Sequence, residues 1–269
     1  MGIVNATPDS FSGDGCFKPK GHPARAVKLA RQLIKEGAHL IDIGGESSRP
    51  GALPVSEKEE LKRVIPVIKA LSVQNEVPIS VDTYKPEVAT QALAAGASIV
   101  NTIKGATPQK ELLKAVKAYN AGIILMHMLG TPPTMQKNIR YRRLIDDIIV
   151  SLRKSIEICL EIGIKSDRIM IDPGIGFGKT AEQNLEIINC LLQFQELDMP
   201  VLIGTSRKSF IGKILDQDLK NNAKNRLLGT AATVTASILR GAHVVRVHDV
   251  KAISQTAKMT DAVINQMTR

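Results

Sequence analysis

The chain contains no tryptophan, three tyrosines and five phenylalanines among 269 residues. So few rings leave little surface on which nucleic acid bases could stack. Cysteine is scarcer still: Cys16, Cys159 and Cys190 lie far apart, in odd number and without CxxC spacing. That pattern argues against a disulfide framework or a structural zinc, and a reducing, cytoplasmic setting is the simplest fit. No apolar run approaches the roughly 18 residues of a membrane span. No basic segment followed by an apolar one marks a signal peptide. Acidic residues are outnumbered, 26 against 36 lysines and arginines, for a net charge of +10. A solvated basic surface is the plain account of most of that charge. Attraction of a small anionic substrate is the sharper one. Nucleic acid comes third, because the cations are scattered rather than packed into runs.

What the chain does have is alternation. Short runs rich in Ile and Val occur at residues 2–5, 39–45, 78–83, 98–103, 122–128, 169–175, 200–206 and 244–250. They are too short for helices, and several show the unbroken apolar character of strands buried on both faces. Between them lie helix-like stretches at 24–37, 56–71, 86–95, 108–119, 142–162, 181–196, 224–240 and 251–267. Ser56 and Glu59 have the spacing of a capping box, and Gly37, Gly96, Gly163 and Gly241 fall where C-terminal caps are expected. Strict strand–helix alternation implies a parallel sheet. Eight units favour an α/β fold of the (β/α)8 TIM barrel type, formed as a single domain over residues 1–269. The longer connections follow runs one, two and seven, on the side where such barrels carry their active sites.

Polar residues close nearly every run. The richest case is Ile169-Met-Ile-Asp-Pro-Gly-Ile-Gly-Phe-Gly-Lys-Thr180, where a buried strand stops at Asp172 and opens into a glycine loop. One carboxylate above bare backbone suits a flat heterocycle with adjacent N–H donors. Asp82, Asn101 and Asp172 form a set suited to a planar donor–acceptor edge. Arg49, Lys208, Arg246 and His248 are cations, or potential cations, for phosphate or carboxylate. Asn5 is a neutral oxygen donor that could help hold Mg²⁺ beside phosphates.

Each of these has a plainer alternative. A lone strand-end Asp commonly caps the next helix. Asp42, inside its strand, fits a buried structural hydrogen bond as well as a ligand contact. His127 follows Ile123-Ile-Leu-Met126 and reads as a satisfied core histidine. Arg246 and His248, at i and i+2, point to one side and need an anion or another partner there. No Gly-x-Ser-x-Gly elbow, zinc-spaced cluster, dinucleotide fingerprint or P-loop is present; Gly-Lys179-Thr180 lacks the preceding glycine spacing of the last. Chemistry without a covalent enzyme nucleophile fits best: one bound substrate loses a leaving anion and a second attacks.

Six segments taken together resemble the dihydropteroate synthase family: Gly2-Ile-Val-Asn-Ala-Thr-Pro-Asp-Ser-Phe11, Ile41-Asp-Ile-Gly-Gly-Glu-Ser-Ser-Arg-Pro-Gly51, Ile79-Ser-Val-Asp-Thr83, Asp172-Pro-Gly-Ile-Gly-Phe177, Gly204-Thr-Ser-Arg-Lys-Ser-Phe210 and Val245-Arg-Val-His-Asp249. The resemblance runs in order along the whole chain. It implies condensation of 6-hydroxymethyl-7,8-dihydropterin diphosphate with p-aminobenzoate, in folate synthesis, by an enzyme that sulfonamides target. It places Asp82, Asn101, Asp172 and Lys208 at the pterin, with Asp82, Asp172 and Lys208 carrying catalysis. It places Arg246 and His248 at the diphosphate, with Asn5 there as Mg²⁺ ligand. Ser48 and Arg49 would lie near diphosphate and p-aminobenzoate, and Ser209 would receive the p-aminobenzoate carboxylate. The family also implies a homodimer.

The chain departs from the family pattern in places. Thr102 stands where an Asp commonly follows the strand-four Asn, Ser48 replaces a Thr, and Ser12-Gly-Asp-Gly15 reorders the first loop. Two other expectations stay in view: a pterin-binding barrel of the folate-dependent methyltransferase type, and a catalytically silent relative.

Overall fold

A computed structural model describes residues 1–7, 22–47, 51–73, 76–107, 109–216 and 223–267. Six parallel strands pair in sequence order: β1 (Gly2–Asn5), β2 (Ile41–Gly44), β3 (Ile79–Asp82), β4 (Ile99–Thr102), β5 (Gly122–Met126) and β6 (Ile169–Asp172). Two more, β7 (Leu202–Ile203) and β8 (Val244–Val245), pair in parallel with each other. Single parallel bridges join Ile171 to Val201 and Gly2 to Val247. Pairing therefore passes from β6 to β7 and from the chain beyond β8 back to β1. The expected (β/α)8 architecture is observed.

Strand parity divides the molecule. Val4, Ile41, Ile43, Ile79, Val81, Val100, Ile123, Leu125, Ile169 and Ile171 belong to the hydrophobic core that the helices share. The intervening positions include Ile3, Asp42, Asp82, Asn101, Met126 and Asp172. Successive strand side chains point to opposite faces, so this second set faces the barrel axis. Apolar residues of the first set hold the helices. Polar residues of the second set, at the strand ends, are what the barrel offers at its mouth.

The helices are α1 (His22–Lys35), α2 (Glu57–Ser72), α3 (Pro86–Ala94), α4 (Lys110–Ala118), α5 (Leu144–Ile162), α6 (Ala181–Asn189), α7 (Ser209–Ile214), α8 (Leu227–Leu239) and α9 (Val250–Met267). Gly37, Gly96, Gly163 and Gly241 all take positive φ, as caps require. Only half of the expected box at Ser56 forms. Its hydroxyl accepts from Glu59 N, but the Glu59 carboxylate turns to Arg63 Nε at 3.1 Å instead. The complete box is at Thr180 and Gln183, opening α6.

Other differences are local. The helix expected over 181–196 stops at Asn189 and continues as a 3-10 turn, Leu191–Leu197. The one expected over 224–240 begins with a 3-10 turn, Ala223–Arg226. The six-residue α7 was not among the expected helices; it is too short to show a helical period. Among the described residues, no helix is long and apolar enough to cross a membrane.

Candidate active site

A cleft opens at the C-terminal ends of the strands. Its polar lining is Asp82, Asn101, Asp172, Ser206, Lys208, Arg246 and His248. Six of these seven were expected site residues. The apolar lining, Ile3, Ile103, Met126 and Phe177, was not expected. Parity could have found three of the four: Ile3, Ile103 and Met126 share the face of the polar strand ends. Phe177, a ring within a glycine loop, carried a weaker signal.

The carboxylates are not free. Arg246 Nε lies 2.6 Å from Asp42 Oδ2, and its Nη2 lies 2.9 Å from Asp82 Oδ2. Asn101 Nδ2 donates to the same Asp42 oxygen at 3.2 Å. Asp42 itself is fully buried and does not line the cleft. Of its two alternatives, the structural one is observed: it holds two residues that do line the site. Two carboxylates thus share one guanidinium. Burial pushes the Asp82 carboxyl up to about 7, the neighbouring Asp42, Glu60 and Glu46 add to this, and Arg246 opposes it. Burial disfavours the Arg246 charge, but Asp42 and Asp82 outweigh it and hold the guanidinium above its usual range.

Across the cleft, Asp172 Oδ1 accepts from Gly174 N at 2.7 Å. Burial raises its pKa, and Lys208, the Gly174 N–H, Lys179 and Arg246 pull it back down. Lys208 Nζ donates to Ile175 O and stands 4.7 Å above the Phe177 ring. Burial pushes this ammonium down to about 8, while Asp172 supports its charge. The glycine loop is fixed through its backbone. The carbonyls of Ile175, Gly176, Phe177 and Gly178 accept from Lys208, Gln136, Lys179 and Tyr141 in turn. Gly176 N donates to Asn184 Oδ1 at 2.6 Å. Gly174 cannot be replaced cheaply: φ is +74°, and an added Cβ would overlap the His127 carbonyl oxygen.

Arg246 and His248 were expected to need an anion or another partner, and other partners are present. His248 Nδ1 is 3.0 Å from Ser206 Oγ, and its backbone N–H donates to the same hydroxyl at 3.1 Å. Ser209, the first residue of α7, is exposed beside the cleft residue Lys208. Asn5 ends β1 beside Gly44 of β2, half-buried. Ser48 and Arg49, with the first-loop residues Ser12 to Gly15, lie outside the described residues. Thr102 is fully buried, and its hydroxyl donates to Gln109 Oε1 at 3.1 Å. It does not line the cleft, so the departure at this position leaves the observed pocket untouched.

His127 is a satisfied core histidine, as expected. Its Nδ1 lies 3.0 Å from the buried Lys179 Nζ. Burial first, then the Lys179 charge, push its pKa down to about 3.

The family described as pterin binding enzyme matches residues 1–248. The dihydropteroate synthase of Synechocystis sp. is 48% identical over 263 residues, covering 98% of this chain and 89% of that protein. The Yersinia pestis dihydropteroate synthase, solved with a sulfonamide drug complex, superposes with a TM-score of 0.92 at 38% identity, covering 98% of this chain and 94% of that one. The Clostridium difficile dihydropteroate synthase, solved in the presence of pteroic acid, gives a TM-score of 0.88 at 42% identity, covering 98% and 95%. The chain belongs to the pterin binding enzyme family and, within it, to the dihydropteroate synthases.

Proposed function

We propose that this barrel condenses 6-hydroxymethyl-7,8-dihydropterin diphosphate with p-aminobenzoate, giving 7,8-dihydropteroate and diphosphate in folate biosynthesis. The observation that carries the reading is the gathering of Asp82, Asn101, Asp172 and Lys208 in the lining of one cleft. A pterin presents adjacent N–H donors and ring acceptors along one edge. Asp172 accepts from the donors, and Asn101 and Lys208 meet acceptors. Phe177 and Met126 supply apolar wall against the ring faces.

Loss of diphosphate leaves positive charge on the pterin methylene and ring. Preorganised carboxylates stabilise such charge without reorganising, and Asp82 and Asp172 both line the cleft to do so. Lys208 holds the ring in place between them. The neutral aniline nitrogen then attacks. It becomes acidic as its bond forms, so no strong base is needed. Arg246 and His248 are proposed to face the departing diphosphate, with Ser48 and Arg49 of the second loop, and Ser209 to receive the p-aminobenzoate carboxylate.

Mg²⁺ is proposed as cofactor, with Asn5 as its protein ligand. Among the described residues no group of three or more His, Cys, Asp or Glu could hold a metal ion. A single neutral oxygen fits an ion held mainly by substrate phosphates and water, as Mg²⁺ prefers. When bound, the ion neutralises charge on the leaving diphosphate.

A homodimer is proposed as well, on the exposed apolar side chains Leu228 and Leu239 of α8 and Met259 and Val263 of α9. The two helices are packed together. Sedimentation should give twice the monomer mass, and a Leu228→Glu, Met259→Glu variant should sediment as a monomer. We further propose one barrel domain working in the cytoplasm.

The activity is tested by supplying purified protein with both substrates and Mg²⁺. Diphosphate release that requires p-aminobenzoate supports the assignment. Tight pterin diphosphate binding with no p-aminobenzoate consumed rejects it in favour of a silent relative.

A further inference from the structure

Backbone pairing is sparse around β7 and β8. Strands β1 to β6 have four or five residues each, whereas β7 and β8 have two. Their register sets Leu202 against Val244 and Ile203 against Val245, an offset of 42 residues. Beyond the strands, side chains continue the same offset. Ser206 Oγ meets His248 Nδ1 at 3.0 Å. Arg207 meets Asp249 in a two-pronged ion pair, Nε to Oδ2 at 2.8 Å and Nη2 to Oδ1 at 2.5 Å. Arg207 and Asp249 do not line the cleft, but their chain neighbours Ser206, Lys208 and His248 do.

Arg207 occupies a turn that would suit glycine better. Its φ is +58°, in the left-handed region that costs an L residue energy. Its N–H donates to Thr230 Oγ1 at 3.1 Å, and its carbonyl accepts from Arg226 Nη1 at 2.8 Å. Those bonds hold the turn through backbone atoms, so the turn itself does not require an arginine side chain. The side chain is buried nonetheless and takes both oxygens of one carboxylate. A planar fork on a carboxylate fixes orientation as well as charge.

We propose that Arg207 and Asp249 are positioning residues of the substrate site: their ion pair clasps the chain beyond β7, which carries Lys208, in register with the chain beyond β8, which carries His248. This rests on the functional reading given above, in which Lys208 meets the pterin and His248 faces the diphosphate. A substrate that joins the two groups needs both strand ends at one fixed separation. Two backbone pairs alone leave those ends weakly tied, and the clasp, outside the cleft, ties them without meeting the ligand. Arg207→Gly removes the fork, relieves the left-handed strain and can keep both backbone bonds. If the residue serves only the turn, that variant binds as the wild type does.

The test is calorimetric binding of 6-hydroxymethylpterin, and of 6-hydroxymethylpterin diphosphate with Mg²⁺, to the wild type, Arg207→Gly, Asp249→Asn and the double variant. Pterin affinity should stay within about threefold of the wild type, while pterin diphosphate affinity falls about tenfold, because only the joined ligand engages both strand ends at once. The double variant should lose no more than either single one, since the same interaction is missing from all three. It also leaves no buried guanidinium unpaired, so it should fold even where Asp249→Asn does not. Unchanged pterin diphosphate affinity, an equal loss for both ligands, or single losses that add in the double variant overturns this proposal alone. Failure of all three variants to fold overturns it as well and leaves the pair a structural ion pair. A wild type that binds neither ligand, or binds the two equally, overturns the functional assignment of these residues and this proposal with it.

Discussion

Arg246 is aimed by a residue that does not line the cleft: its Nε lies 2.6 Å from Oδ2 of Asp42, a fully buried carboxylate within β2. Asp42 also accepts from Asn101, so one side chain behind the site sets two within it. Asp42→Asn keeps the shape and removes the charge. Arg246 would retain Asp82, so the cost in stability should be about 1–3 kcal/mol, below that of fully unpairing a buried charge. With its guanidinium loosened, kcat/KM should fall about tenfold or more. Chemical denaturation and steady-state kinetics check both; unchanged kinetics would show that Arg246 needs no aiming.

Asp82 makes stability depend on pH in a defined direction. Its folded pKa is raised from 3.8 to about 7, so between those values the folded chain holds a proton that the unfolded chain has lost. Stability from this group is therefore intact near pH 4 and declines as pH rises towards 7. Asp82→Asn, neutral throughout, lacks that decline. Thermal midpoints of the two proteins, measured from pH 4 to pH 8, should diverge against the wild type up to about pH 7 and then run parallel. Curves parallel throughout would mean that Arg246 holds Asp82 ionised.

Two glycines with similar backbone should respond differently to alanine. Gly174 has φ +74° with the His127 carbonyl in the path of a Cβ, whereas Gly51 has φ +79° and nothing within 4 Å. Gly51→Ala should cost only left-handed strain, about 1 kcal/mol. Gly174→Ala should cost about 2 kcal/mol or more and weaken pterin binding, because the loop carrying Phe177 must move. Equal losses at the two positions would show that the contact with His127 yields freely.

Much of this was legible in the sequence because strand parity is a strict rule. Once eight short apolar runs alternate with helices, the residues closing them must converge, and Asp82, Asn101, Asp172, Lys208, Arg246 and His248 do meet in one cleft. The same rule held Ile3, Ile103 and Met126, which went unnamed because only the polar residues closing the runs were singled out. The pairing of Arg246 with Asp42 joins positions 204 residues apart, which no local pattern encodes. The contact between Lys179 and His127 is similar: each residue looked ordinary alone, and only the packing of the loop after β6 against the end of β5 brings them together. Short elements were also illegible, α7 for want of a full period and the missing half of the Ser56 box because Arg63 competes for Glu59.

The account stands on Asp172 as the acceptor for the pterin edge. Calorimetric titration of 6-hydroxymethylpterin into the wild type and Asp172→Asn at pH 7.5 tests it most directly. One pterin should bind per wild-type chain, and the variant should bind at least about tenfold more weakly, the loss of one charge-assisted hydrogen-bonding partner. Equal affinities in two folded proteins would contradict it.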